Sequence, residues 1–318
     1  MTAMRKRRIG SLEVSVVGLG CNNFGRRLDE AATRSVVDAA LDAGVDFFDT
    51  ADVYGETDSE TFLGRVLTGR RDRVVLATKF GSKVAEGKQG ARPEYVRRAL
   101  EDSLRRLRTD HVDLYQLHRP DPEVPIADTL GALAEAVQAG LVREIGCSNF
   151  SAEQIAEAEA AARPGAPRFV SVQNELSLLR RDAEKDVLPA CRERGIAFLP
   201  YFPLFSGLLT GKYRRGRPLP EGTRITGNPR WEQHLTDANL DLIEDLVAFA
   251  AERGQEIVDL AFAWLLAKPE VASVIAGATS AEQVRRNARA GSWELSAEDA
   301  AALDALLDRH ERAGAGAV

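Results

Sequence analysis

Residues 112–145 read VDLYQLHRPDPEVPIADTLGALAEAVQAGLVREI and contain one complete strand–helix–strand unit. The apolar run Val112–Leu117 comes first, an amphipathic stretch over 126–139 follows, and a second apolar run occupies Leu141–Ile145. Runs that are apolar on both faces are typical of parallel strands covered on both sides, whereas half-exposed strands alternate. The unit therefore predicts two neighbouring parallel strands joined by a helix.

Apolar runs of this kind recur through the chain and alternate with helical stretches. The eight runs are Val14–Leu19, Val45–Phe48, Val74–Ala77, Val112–Leu117, Leu141–Ile145, Phe169–Val172, Ile196–Leu199 and Val271–Ile275. The predicted helices cover 29–43, 58–68, 93–107, 126–139, 151–162, 183–194, 237–253, 255–267 and 281–289. Gly44, Gly140 and Gly195 each stand between a helix and a strand, where a left-handed cap is expected. Eight strands separated by helices favour a closed TIM (β/α)8 barrel over an open sheet.

Two segments depart from this repeat. Residues 5–15 are predicted to form a β-hairpin that turns at Gly10-Ser11 and closes the bottom of the barrel. Residues 202–235, after the seventh strand, form a long connection rich in Gly, Pro and Arg, which is either a lid over a ligand or a flexible insertion. We expect one barrel domain over 1–318, with a disordered tail at 313–318.

Composition excludes several classes of protein. The 318-residue chain has a net charge of −6, which argues against nucleic acid or an anionic membrane surface as the main partner. No apolar run approaches the ~18 residues that a membrane helix needs, and the N-terminus does not resemble a secretory leader. The three cysteines are far apart, and no His/carboxylate cluster suggests a metal site. We therefore expect a cytoplasmic protein without a metal.

Four polar side chains stand at or near the ends of three successive predicted strands. Asp49 and Tyr54 follow the second strand, Lys79 follows the third, and His118 follows the fourth. In a parallel barrel these carboxyl ends meet at one rim, which carries the active site in this fold class. The four side chains are therefore expected to converge.

This combination suits proton delivery to a carbonyl oxygen. A free tyrosine has a pKa near ~10 and is a weak acid at neutral pH, and a nearby Lys79 ammonium is expected to lower the pKa of Tyr54. Asp49 would pair with Lys79, and a neutral His118 would donate a hydrogen bond to the substrate oxygen. No nucleophile accompanies them, so the arrangement requires an external reductant.

Motifs along the chain point to a known family. They are DTADVYG at 49–55, TK at 78–79, LHRPD at 117–121, GCSNF at 146–150, QNE at 173–175, Tyr201 followed by Pro203-Leu204, GLLTGK at 207–212 and IAGATS at 275–280. In this order the chain resembles an aldo-keto reductase over about residues 8–290. The resemblance implies a TIM barrel that reduces aldehydes and ketones with NADPH through an Asp–Tyr–Lys–His tetrad, which here falls on Asp49, Tyr54, Lys79 and His118.

The resemblance also implies a cofactor site. Ser148, Asn149 and Gln173 would bind the nicotinamide carboxamide, and Tyr201 would stack on its ring. The stretch from Pro203 to Lys212 would line the pyrophosphate, with residues Pro203, Leu204, Gly207 and Lys212. Phe202 stands where many relatives have a serine, so one hydrogen bond to the pyrophosphate is expected to be missing.

The last segment would hold the adenosine phosphate, with residues Gly277, Thr279, Ser280, Gln283 and Asn287. Ser280 and Gln283 are predicted to form a capping box at a helix N-terminus, which favours anions. Arg285 and Arg286 either meet a 2′-phosphate or belong to a solvated face. Because Gly277 and Gln283 replace a Lys and an Arg of some subgroups, NADH is an alternative to NADPH.

The substrate is expected to be a small carbonyl compound, with Phe24, Phe80 and Trp231 as apolar walls of its pocket. The family default is a monomer, and a small homo-oligomer remains open. One alternative is a nucleotide-binding accessory or regulatory subunit with little turnover, as in the β subunits of potassium channels. Another, a lyase or isomerase that uses Lys79 as a Schiff-base amine, leaves Gln173 and Tyr201 without a role.

Overall fold

The computed structural model describes residues 4–315, with side-chain burial for 4–312. Its centre is a closed barrel of eight parallel strands. These strands are β3 (Val17–Gly20), β4 (Phe47–Asp49), β5 (Val75–Phe80), β6 (Val112–Leu117), β7 (Val142–Ser148), β8 (Phe169–Glu175), β9 (Ala197–Tyr201) and β10 (Val274–Gly277). They pair in the order β10-β3-β4-β5-β6-β7-β8-β9. The predicted (β/α)8 barrel is confirmed.

An antiparallel hairpin lies ahead of the barrel. Its strands, β1 (Lys6–Ile9) and β2 (Leu12–Ser15), pair with Ile9 opposite Leu12, so that Gly10 and Ser11 form the turn as predicted. Ile9 and Leu12 are buried in one cluster with the barrel residues Phe47 and Leu114, so the hairpin packs on the barrel. The prediction of one strand over Val14–Leu19 is wrong, because this run contains the end of β2 and most of β3.

Helices surround the barrel. They are α1 (Glu30–Asp42), α2 (Asp58–Val66), α3 (Pro93–Leu107), α4 (Ile126–Gln138), α5 (Ala152–Ala161), α6 (Val187–Arg194), α7 (Pro229–Glu232), α8 (Asp237–Ala251), α9 (Ile257–Leu266), α10 (Ala281–Ala290) and α11 (Ala297–Ala315). The left-handed backbone predicted for Gly44, Gly140 and Gly195 is confirmed, with φ of 78°, 74° and 61°. In the described part of the chain, no helix combines the length and the apolar character needed to cross a bilayer.

Two helices were not predicted from the sequence. The short α7 lies inside the long connection after β9, and α11 follows α10 and packs against α8. Leu303, Leu306 and Leu307 are the buried side of α11. This helix extends to Ala315, and residues 316–318 of the predicted tail lie outside the described residues.

Several barrel strands end later than the apolar runs predicted. Asp49, Ser148 and Gly277 are each the last residue of a strand and still take part in its pairing. Their position places polar atoms directly at the carboxyl rim of the barrel.

Candidate active site

A cavity of about 830 Å³ opens at the carboxyl ends of the barrel strands. Its volume lies in the usual range for a small-molecule site. Asp49, Tyr54, His118 and Trp231 line it. All of the residues predicted to bind a cofactor also line it: Ser148, Asn149, Gln173, Tyr201, Pro203, Leu204, Gly207, Lys212, Gly277, Thr279, Ser280, Gln283 and Asn287.

Lys79 lies behind the cavity floor and is fully buried. Its Nζ donates to Asp49 Oδ2 at 2.6 Å and to the Thr50 carbonyl at 2.8 Å. The third donor reaches Tyr54 Oη at 3.4 Å. Burial opposes the ammonium charge, but the Asp49 carboxylate and Tyr54 outweigh it, so the pKa of Lys79 is raised above 10.5. Lys79 is thus a fixed positive charge that contacts the Tyr54 hydroxyl.

Asp49 is held from both sides. While Oδ2 accepts from Lys79, Oδ1 accepts from the amides of Gln116 at 3.1 Å and Gln173 at 3.0 Å. Gln116 was not predicted, because a single polar residue inside the run Val112–Leu117 gives no signal of its own. Gln173 was predicted to bind the nicotinamide carboxamide, whereas its amide nitrogen donates to Asp49 and only its side-chain oxygen remains as an acceptor.

The backbone after β4 turns sharply to bring Tyr54 to the rim. Gly55 has φ of 57°, and a Cβ there would lie 2.5 Å from the Phe24 carbonyl oxygen. Only glycine combines this conformation with so close an approach. The Tyr54 loop therefore packs directly on the segment at 24–25.

The pKa of Tyr54 differs in sign from the prediction. Burial raises it above the ordinary 10, while the Lys79 ammonium opposes this effect. The Lys79 ammonium does lower the pKa as predicted, but the predicted net lowering is wrong, because the raising effect of burial is larger. Tyr54 stays protonated at neutral pH.

His118 stands beside Tyr54, with the two ring centroids 5.8 Å apart and the rings edge to face. Burial, together with the charges of Lys79 and Arg119, lowers the pKa of His118 to about 3. The imidazole is thus neutral, as the proposed hydrogen-bonding role requires. Its buried Nδ1 has no hydrogen-bond partner among the described residues.

Ser148, Asn149 and Tyr201 form one hydrogen-bonded group next to His118. Asn149 has a left-handed φ of 62°, and its Nδ2 donates to the His118 carbonyl at 2.9 Å. Its Oδ1 accepts from the Tyr201 hydroxyl at 2.8 Å. Ser148 Oγ donates to the Gln173 carbonyl at 2.7 Å. These contacts fix the wall that the resemblance assigns to the nicotinamide.

The chain after β9 approaches the cavity through a kinked segment. Ser206 and Gly207 have φ of 55° and 109°, and no atom lies within 4 Å of a Cβ placed on Gly207. The buried Ser206 Oγ has no partner among the described residues. A bound group could approach the backbone at Gly207 closely, and the Ser206 hydroxyl is free to form a hydrogen bond with it. Both features suit a polar group such as a pyrophosphate.

The far end of the cavity lies at the N-terminus of α10. Ser280 Oγ accepts from the Gln283 backbone N–H at 3.2 Å, while Gln283 Oε1 accepts from the Thr279 N–H at 2.8 Å. The predicted capping box is therefore only half formed, because the glutamine reaches one residue further back. Arg286 lines the cavity and pairs with Glu256, whereas Arg285 is exposed on α10 and is not a lining residue.

Two of the three predicted substrate walls do not reach the cavity. Phe24 and Phe80 are fully buried, and Phe80 stacks on Tyr115 with ring centroids 4.6 Å apart. Both predictions are wrong, because these aromatic side chains are buried between structural elements and do not line the cavity. Trp231 does line the cavity, with its ring 5.4 Å from that of Phe202.

The connection at 202–235 also reaches the loop after β3. Arg224 donates to Asn23 Oδ1 at 2.8 Å, and Arg27 donates to the Gly222 carbonyl at 3.3 Å. These four residues line the cavity. They were not predicted from the sequence, because arginine and asparagine in loops are common on ordinary surfaces.

Comparison with known proteins agrees with this geometry. The model of the aldo/keto reductase family matches residues 16–308. The "Probable aldo-keto reductase 1" of Glycine max is 36% identical over 295 residues, which cover 90% of this chain and 84% of that protein.

Two solved structures are similar over nearly the whole chain. Aldo-keto reductase AKR11C1 from Bacillus halodurans, in its holo form, is 34% identical with a TM-score of 0.79, covering 95% of this chain and 96% of that one. The glycerol dehydrogenase AKR11B4 from Gluconobacter oxydans is 31% identical with a TM-score of 0.83, covering 96% and 95%. With a family match over residues 16–308 and a barrel of the same architecture, the chain belongs to the aldo/keto reductase family.

Proposed function

We propose that the protein reduces an aldehyde or ketone to the alcohol, with NADPH as the reductant and Tyr54 as the proton donor. The observation that carries this proposal is the position of Lys79 Nζ, which contacts both Asp49 at 2.6 Å and Tyr54 Oη at 3.4 Å. It places a permanent positive charge where a phenolate would form. NADH is the alternative cofactor, because no lysine or arginine stands at 277 or 283.

The cavity fits a nicotinamide dinucleotide. The Gln173 side-chain oxygen and the Ser148–Asn149 group would orient the carboxamide, and Ser206 with Gly207 would receive the pyrophosphate. The N-terminus of α10 would receive the adenosine phosphate, since helix N-termini stabilise anions. Lys212 and Arg286 line this end of the cavity and supply further positive charge. When bound, the nicotinamide supplies a hydride to the carbonyl carbon.

Tyr54 supplies the proton. Because burial raises its pKa, the hydroxyl is protonated at neutral pH and available to a carbonyl oxygen. As the proton leaves, the Lys79 ammonium stabilises the developing phenolate. Asp49 keeps that ammonium in place, and the neutral imidazole of His118 orients the carbonyl oxygen by a hydrogen bond.

The test is Tyr54→Phe, which removes the hydroxyl and keeps the ring. General acid catalysis typically contributes ~10²–10⁴-fold, so we expect kcat to fall by at least about 100-fold with cofactor affinity nearly unchanged. The wild-type protein should first be assayed against a panel of aldehydes and ketones with NADPH and with NADH, following loss of reduced-nicotinamide absorbance. Unchanged kcat in the variant would remove Tyr54 from its role, and tight cofactor binding without turnover would favour the accessory-subunit alternative.

A further inference from the structure

Three arginines line the cavity that Tyr54 and His118 also line. Arg119 directly follows His118, Arg180 lies after β8, and Arg230 lies on α7. All three line the cavity and are exposed. They come from three different connections of the barrel, so their convergence is a property of the fold and not of one basic segment.

The three arginines act on two neighbouring side chains of the cavity, His118 and Glu175. Arg119 is among the groups that lower the pKa of His118. At Glu175, burial raises the pKa and the charges of Arg180 and Arg230 oppose that effect. Arg119, Arg180 and Arg230 line the same cavity as His118 and Glu175, and their charges act on these two side chains.

A second set of cations lies at the other end of the cavity. Arg286 contacts the Thr210 carbonyl and Glu256, and Lys212 belongs to the segment assigned to the pyrophosphate. The cofactor phosphates therefore have their own positive charges. Binding of the cofactor phosphates therefore does not account for Arg119, Arg180 and Arg230.

Carboxylates on the chain do not neutralise the three arginines. Arg180 makes one long ion pair, 3.5 Å to the exposed Asp182. Among the described residues, neither Arg119 nor Arg230 has a carboxylate oxygen within 4.0 Å, and the Arg230 guanidinium instead lies 5.5 Å from the Trp231 ring centroid. The acidic residues that line the cavity are Asp49, Glu175, Glu221 and Glu282, and the charges of Arg180 and Arg230 act on Glu175. Positive charge is thus in excess here, in a chain whose net charge is −6.

We propose that the substrate is a carbonyl compound that also carries a carboxylate, and that the guanidinium groups of Arg119, Arg180 and Arg230 bind this carboxylate. The inference rests on the proposed reductase function and names its substrate class. Planar guanidinium groups match a carboxylate through paired, charge-assisted hydrogen bonds. Trp231 and Phe202, which also line the cavity, would cover the carbon chain between the carbonyl and the carboxylate.

The experiment compares each acid with its neutral ester. 4-Oxobutanoate and methyl 4-oxobutanoate form one pair, and 4-carboxybenzaldehyde and methyl 4-formylbenzoate form a second, more rigid pair. Hydrogen bonds to charged groups contribute roughly 1.5–3 kcal/mol, and each 1.4 kcal/mol is tenfold. We therefore expect kcat/KM to favour the acid over its ester by about tenfold or more, in at least one pair. Added KCl should reduce this preference, because salt screens exposed charges.

Variants locate the preference within the site. Arg180→Gln and Arg230→Gln should each lower the acid-to-ester ratio of kcat/KM by about three- to tenfold, through KM more than through kcat. Glu175→Gln removes the competing negative charge and should raise the ratio. Arg34→Gln removes an equal charge from the exposed side of α1, outside the cavity, and should leave the ratio at the wild-type value.

The outcomes separate this inference from the proposed function. If esters and acids are reduced equally well, or if the ratio is the same in Arg180→Gln, Arg230→Gln and Arg34→Gln, the carboxylate site is refuted and the reductase function stands. If the panel of carbonyl compounds gives no turnover with NADPH or NADH, the proposed function itself fails.

Discussion

Replacing Lys79 with methionine is the sharpest test of how the site works. The substitution keeps the length of the side chain and removes its charge. Lys79 is 0% exposed and makes hydrogen bonds to Asp49, Thr50 and Tyr54. It therefore supports both the buried carboxylate and the phenol, and its loss should affect stability and turnover separately.

The effect on turnover follows from the distance to Tyr54. A unit charge 3.4 Å from a phenolate oxygen contributes about 5 kcal/mol at an effective dielectric constant of about 20. Because this interaction acts on the phenolate and not on the neutral phenol, its loss raises the barrier to proton transfer. We expect kcat to fall by about 10³-fold or more.

The effect on stability follows from Asp49. This carboxylate is 2% exposed and keeps only the amides of Gln116 and Gln173 after the substitution. Removing one partner of a buried ion pair typically costs about 3–5 kcal/mol, which corresponds to a fall in Tm of about 5–8 °C for a chain of 318 residues. Asp49→Asn combined with Lys79→Met removes both charges and should recover most of this loss without recovering kcat.

The assays are thermal unfolding and steady-state reduction of a neutral aldehyde from the panel, with Lys83→Met at an exposed position as the control. The folded-state pKa of Lys79 lies above 10.5, so its stabilising effect is complete below the unfolded-state pKa and is lost only as pH rises through the folded-state value. The Tm difference should therefore persist from pH 6 to pH 9. A Lys79→Met protein with wild-type Tm and kcat within threefold of wild type would refute the reasoning.

Three further predictions concern His118 and two residues near the tetrad, Asp52 and Gly55. The pKa of His118 is lowered to about 3, below the unfolded-state value near ~6.5, so in this pH range the unfolded chain binds a proton that the folded chain does not. Stability should therefore fall as pH drops from about 6.5 to about 3. His118→Gln should flatten that part of a plot of Tm against pH. Asp52 is buried without a side-chain partner among the described residues, and burial raises its pKa to about 8. Stability should therefore fall as pH rises from about 4 to about 8, and Asp52→Asn should be more stable than wild type at pH 9 by about 1–3 kcal/mol; equal denaturation midpoints at pH 9 would contradict this. Gly55→Ala places a Cβ 2.5 Å from the Phe24 carbonyl and should lower stability by about 1–3 kcal/mol and reduce kcat. Gly87→Ala, where φ is also positive but no atom lies within 4 Å, should leave kcat unchanged.

The barrel was predictable because its evidence is local. Apolar runs such as Val112–Leu117 alternate with amphipathic helices, and glycines mark the helix ends. The strand ends were less predictable, because Asp49 and Ser148 are polar and still belong to the β-ladder. Helix α11 was missed although Leu303, Leu306 and Leu307 have helical spacing, since the repeat of eight units was already complete.

The site was predictable where one residue type at a strand end implies a chemistry. Lys79 and His118 are of this kind. Gln116 was not, since its importance depends on contact with Asp49, 67 residues earlier in the chain. The sign of the pKa shift of Tyr54 was not predictable either, because it depends on a balance between burial and the Lys79 charge that only coordinates show.

The geometry also indicates why Tyr54 is the group proposed to give the proton. Lys79 is 0% exposed and lies behind the cavity floor, so its ammonium has no direct path to a carbonyl oxygen. His118 is neutral down to about pH 3 and has no surplus proton to give at neutral pH. Both oxygens of Asp49 already accept hydrogen bonds, from Lys79, Gln116 and Gln173. Tyr54 remains as the member of the tetrad that is protonated, lines the cavity and has a positive charge beside its oxygen to stabilise the anion it becomes.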